Sequence, residues 1–182
     1  MALAMAVQPQ TPNSNTAARL DAEEAILALL LAPDGKKDNG EWRWATPIDG
    51  KTRLVKGLFL IDKETRSGAD RLLEFQFTSG PYGPSSLELT DRLESLMKSG
   101  KVGATEMNSG KGYRLSLTPE GGRSAKLLWS KLPGQARADF YTIKSRIAPM
   151  SYRQLLLYVY RTYPEYTQNS LIRDELLSGT QE

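Results

Sequence analysis

Two Gly-Pro steps bracket a single tyrosine at Gly80-Pro81-Tyr82-Gly83-Pro84, and Ser85-Ser86 follow. Glycine tolerates positive φ and proline holds φ near its helical value, so this stretch imposes a tight reversal of the chain. Directly beyond it Leu89, Leu93, Leu96 and Met97 recur at i, i+4, i+7 and i+8. That spacing predicts a helix over Ser85–Ser99 with one apolar face, closed by Gly100. Val102–Met107 and Tyr113–Leu117 read as two strands, joined through Asn108-Ser109-Gly110-Lys111-Gly112 as a hairpin. A turn, a helix and a hairpin in this order form the second half of a winged helix-turn-helix.

The flanking segments supply the rest of such a domain. Ala17–Ala32 predicts a first helix with Leu20, Leu27, Leu30 and Leu31 inward and Glu23-Glu24 in its first turns. Pro33-Asp34-Gly35 ends it, and Lys36–Ile48 is a polar loop carrying Trp42 and Trp44. Asp49 is placed to cap a second helix over Gly50–Arg66, and Leu72–Phe77 has the tone of a strand. Thr118-Pro119-Glu120 is a helix start, with a capping hydroxyl, proline at the first helical position and acid in the first turn. Leu127, Leu128 and Leu132 are expected to form that helix's apolar face. Helices over Gly134–Ala148, Tyr152–Thr162 and Ser170–Leu177 complete the prediction. The expected class is mainly α (α+β), a winged helix-turn-helix with a small β-hairpin wing and C-terminal accessory helices. Residues 1–18 read as a disordered tail, 19–132 as the winged-helix domain, and 133–182 as a helical extension that pairs two copies into a homodimer.

The chain has neither cysteine nor histidine. Disulfides, cysteine nucleophiles, Cys/His zinc sites and histidine bases are therefore excluded. Glu88, Asp91 and Glu94, like Glu23-Glu24, read as solvated helix faces, so no enzyme, catalytic residue, metal or cofactor is expected. Gly50-Lys51-Thr52 imitates the end of a phosphate-binding loop, but Ala45 stands where that loop needs its first glycine. No run of about eighteen apolar residues and no export signal is found, so no membrane partner is expected and the location is read as cytoplasmic.

Several of these stretches resemble a bacterial winged-helix family known as YwgA-like. They are Gly50-Lys51-Thr52-Arg53-Leu54 with Phe59-Leu60, the Gly80–Pro84 turn with Glu88-Leu89, and Tyr113 with Leu117-Thr118 and Gly121. Tyr163-Pro164-Glu165-Tyr166-Thr167-Gln168-Asn169-Ser170 resembles a C-terminal motif of the same family. The order of parts is more distantly similar to the Panacea antitoxin domain. The resemblance implies a regulatory, defence-associated or toxin–antitoxin-type protein. The chain departs from it at Gly57, where the family has a larger apolar residue.

The net charge of +3 is unevenly spread, with ten basic and two acidic residues between positions 111 and 161. A winged helix normally lays its third helix in the major groove. Here that helix carries Glu88 and Asp91, whose charge opposes the phosphates. The expected function is accordingly a transcription regulator that binds double-stranded DNA through the basic wing and the next helix. The candidate contacts are Ser85, Arg92, Lys98, Lys101, Lys111, Arg114, Arg123 and Lys126. The alternative is an interaction module, adaptor or antitoxin, whose acidic third helix presents Glu88 and Asp91 to a protein partner encoded nearby.

Overall fold

A helix that is apolar on every side belongs at the centre of a fold. Helix α1 (Ala22–Leu31) is such a helix, with all its residues buried except Glu23 and Glu24. The computed structural model describes residues 19–107 and 112–179. The expected tail over 1–18 lies outside the described residues, and so does Lys111. Helix α1 starts later than predicted because Asp21 caps it, in a capping box with Glu24. Arg19-Leu20 are extended instead, and Leu20 bridges to Leu73.

The remaining elements follow in chain order. Strands β1 (Lys37–Asp38) and β2 (Glu41–Trp42) form a miniature hairpin, and β3 (Ile48–Asp49) leads into α2 (Lys51–Glu64) and the single turn α3 (Arg66–Ala69). Strands β4 (Thr78–Gly80) and β5 (Gly83–Ser85) precede α4 (Leu87–Lys98). Strands β6 (Val102–Glu106) and β7 (Tyr113–Leu117) precede α5 (Pro119–Lys131), α6 (Gly134–Ile147), α7 (Tyr152–Thr162) and α8 (Arg173–Ser178). The class is α+β, with small antiparallel sheets among helices. The main sheet has the order β3-β7-β6, and Ile48 and Asp49 pair with Leu115 and Arg114.

Several local expectations change. The Gly-Pro turn is itself a hairpin, in which Thr78, Ser79 and Gly80 face Ser85, Pro84 and Gly83. The strand therefore begins at Thr78, while Leu72, Leu73, Phe75 and Phe77 are core residues ahead of it. Ser86 caps α4, and Ser85 belongs to β5. Asp49 does not cap α2: Gly50 holds that position at φ 85°, and the Asp49 carboxylate turns to Arg114. On α5 the buried residues are Gly121 and Ala125, and Leu127 is exposed. Helix α5 packs so closely that a Cβ on Gly121 would collide with the Lys101 carbonyl.

The C-terminal segment joins the same core. Helix α6 packs on α2, α3 and α1, and α7 packs on α2. Phe140, Ile143, Ile147, Leu155, Leu156 and Val159 on these two helices are buried within one chain. Gly57 has a steric reason, because a Cβ there would lie 2.9 Å from both Leu29 Cδ2 and Ile147 Cδ1. It marks the place where α1, α2 and α6 converge.

The family-like Tyr163–Ser170 stretch pins the Gly-Pro hairpin. Asn169 donates its backbone N–H to Ser79 Oγ at 3.0 Å, and Leu171 donates to the Pro81 carbonyl at 2.9 Å. Ser170 shares a 2.7 Å hydrogen bond with the Tyr160 hydroxyl. From the other side the buried Lys56 donates Nζ to the Pro84 carbonyl at 2.7 Å. The start of α4 is therefore fixed by α2, α7 and the segment after α7 together.

Candidate functional site

Two of the candidate DNA contacts are engaged in ion pairs within the fold. Lys101 Nζ lies 2.7 Å from the Glu23 carboxylate, and Arg114 Nε lies 2.7 Å from that of Asp49. These hydrogen bonds and the nearby negative charge raise the pKa of both cations. Their charge is thus largely cancelled within the fold. Ser85 is half-buried in β5. Arg92 and Lys98 on α4, and Arg123 and Lys126 on α5, are exposed and make no ion pair among the described residues. Glu88 and Asp91 are exposed on α4, as expected.

Beside α4 the chain forms a feature that the sequence reading missed. A groove of about 890 Å³ opens between the N-terminus of α2, helix α4, the β6–β7 hairpin and the start of α7. Leu93 and Met97 come from α4, Met107, Tyr113 and Leu115 from the hairpin and its edge, and Tyr152 from α7. Met97, Tyr113 and Tyr152 remain 39%, 59% and 48% exposed at this groove. Glu94 of α4 stands at the groove, on the helix that also carries Glu88 and Asp91. Exposed side chains of this size gathered in one concavity mark an interaction surface, unlike scattered surface leucines. Met97 and Tyr113 were legible as members of a helix and a strand. Their convergence with Tyr152 depends on how α7 returns to the hairpin, which no local pattern encodes.

Comparison of the chain with protein-family models, curated proteins and solved structures finds no match. The site must therefore be read from its own chemistry. Among the described residues no group of acidic side chains is arranged to hold a metal ion, and no helix is long and apolar enough to cross a membrane.

The buried polar residues belong mainly to the scaffold. Tyr158 and Tyr163 donate to Glu64 Oε1 at 2.6 and 3.0 Å, and Arg146 pairs with Glu64 Oε2. Burial, and then the bond to Glu64, push the Tyr163 pKa up. Lys56 and Lys144 are each 2% exposed and donate to carbonyls, and burial pushes both down to about 7. The tyrosines at 158, 160 and 163 are thus packing and hydrogen-bonding residues.

Proposed function

We propose that this chain is a winged-helix interaction module, antitoxin-like in type, whose groove receives an apolar segment of a protein partner. The order α1, β3, α2, α4 and the β6–β7 hairpin, with β3 paired to the hairpin's second strand, supports the winged-helix reading. The YwgA-like stretches support a regulatory role. The groove itself carries the proposal: Met97, Tyr113 and Tyr152 stay exposed around an apolar hollow on the helix that also bears Glu88, Asp91 and Glu94. A partner helix with apolar residues at i, i+3 and i+4 and lysine or arginine beside them complements such a surface. Phosphates fit it less well, because Glu88, Asp91 and Glu94 on that helix oppose them.

Selection of helical peptides from a displayed library against the folded chain tests this reading. The selected peptides should carry an apolar stripe flanked by basic residues. Met97→Lys should weaken them by about 2 kcal/mol, the cost of losing a buried anchor and introducing a charge. Arg123→Glu, on α5, should leave them unchanged. Peptides indifferent to Met97→Lys would refute the groove as the docking surface.

A second reading has one observation in its favour. Arg92, Lys98, Arg123 and Lys126 are exposed cations free of ion pairs among the described residues, which suits phosphate contacts. With about four phosphates neutralised, duplex affinity should fall by roughly a hundredfold between 50 and 200 mM salt. Arg123→Glu with Lys126→Glu should abolish it. No binding of any duplex at low salt by the folded chain would remove this reading.

A further inference from the structure

A second cavity, of about 480 Å³, shares only Asp49 and Arg53 with the groove. Its lining is predominantly basic, with five lysine and arginine side chains against the carboxylates of Asp34 and Asp49. Both carboxylates are already engaged, Asp34 with Arg43 at 3.1 Å and Asp49 with Arg114 at 2.7 Å. Arg53 and Lys144 have carbonyls as hydrogen-bond partners, with Asp49 and Asp34 adding attraction at longer range. Arg53 Nη1 donates to the Ile147 carbonyl at 2.6 Å, and Lys144 Nζ donates to the Leu30 carbonyl at 2.7 Å. A carbonyl accepts the hydrogen bond but does not cancel the charge.

These two cations approach from different helices, α2 and α6, and line one polar hollow. A guanidinium carries five N–H donors in a fixed fork, so the bond to Ile147 leaves most of the fork free for an oxyanion. Lys144, at 2% exposure, is desolvated and its pKa is lowered to about 7, so an anion beside it would favour its charged form. Arg43, about half exposed, spends one N–H on Asp34 and keeps the rest of its fork where the cavity meets solvent. The volume suits a small metabolite.

The geometry points to a binding site for a small, multiply charged oxyanion, a phosphate ester or a polycarboxylate, held between Arg53 and Lys144 with Arg43 at the entrance. The site is independent of the groove's apolar lining, so its failure would leave the peptide reading intact.

Titration calorimetry of the full chain with pyrophosphate and with citrate tests it, at constant ionic strength with chloride as control. At least one anion should bind with a Kd below about 1 mM, as two or more charge-assisted contacts imply. Pyrophosphate binding marks the phosphate source and citrate binding the carboxylate source. Arg43→Gln and Arg53→Gln should each weaken binding by about tenfold, one charge-assisted bond's worth. Arg123→Gln, outside the cavity, should bind like the native chain. If circular dichroism finds Arg53→Gln unfolded, the exposed Arg43→Gln decides alone. The proposal is overturned if neither anion binds, if Arg43→Gln binds as tightly as the native chain, or if Arg123→Gln weakens binding as much.

Discussion

Replacing Gly83 by alanine measures how firmly the Gly-Pro hairpin is held. Gly83 sits at φ 81°, where an L side chain meets its own backbone, and that alone costs about 1–2 kcal/mol. Its new Cβ would also lie 2.8 Å from Cε2 of Tyr160. That ring is 2% exposed and its hydroxyl is tied to Ser170, so it has little room to withdraw. Overpacking of this kind adds about 1–3 kcal/mol. The total, about 2–5 kcal/mol, corresponds to a fall in Tm of roughly 5–15 °C for a chain of this size. Gly100 supplies the internal control: its φ is 74° but nothing lies within 4 Å of its added Cβ. Gly100→Ala should therefore lose only the backbone part, about 3–6 °C. Thermal denaturation followed by circular dichroism compares the two directly. In a Tyr160→Ala background the Gly83→Ala cost should shrink toward that of Gly100→Ala, because the steric part vanishes. If Gly83→Ala costs no more than Gly100→Ala, the contact does not fix the start of α4 and the reasoning fails.

Two further outcomes follow from the buried polar groups. Lys56 and Lys144 titrate near 7 when folded and near 10.5 when unfolded, so above pH 7 the unfolded chain binds more protons. Stability should then rise between about pH 7 and 10, by at most about 1.4 kcal/mol per pH unit for each lysine. Above pH 10 it should fall, because Tyr158, Tyr160 and Tyr163, raised by burial, keep protons that the unfolded chain releases. Lys144→Met should roughly halve the slope of the rising limb in Tm measured against pH, Lys56 supplying the rest, and an unchanged limb would refute the assignment. Glu64→Ala strips Arg146, Tyr158 and Tyr163 of a shared acceptor. With Arg146 partly exposed the cost is about 2–3 kcal/mol, read as a lower urea midpoint at unchanged slope; a midpoint like that of the native chain would contradict it.

The parts of the chain that could be read in advance share one property: their causes are local. Thr118 caps α5 with Pro119 at its first position, Gly100 follows α4, and the bounds of α7 fall where its apolar spacing put them. Each signal lies within a few residues of its effect. Asp49 shows how such a signal fails, because a residue with capping chemistry was claimed by an arginine 65 positions away. The candidate interface suffered from the same limit. Ten basic residues between positions 111 and 161 implied a strongly positive face. Yet Arg114 is held by Asp49, Lys144 by the Leu30 carbonyl, Arg146 by Glu64, and Arg153 by the carbonyls of Leu176 and Gly179. Those partners come from β3, α1, α2 and the end of α8, up to 114 positions away. Charge counted along the chain therefore overstates the charge offered to a partner wherever a helix returns to the core. The same return of α6 and α7 that withdrew those cations built the apolar groove at Tyr152 and the cationic cavity at Lys144. Lost basic surface and gained concave sites are thus one consequence of packing the C-terminal helices against α1 and α2.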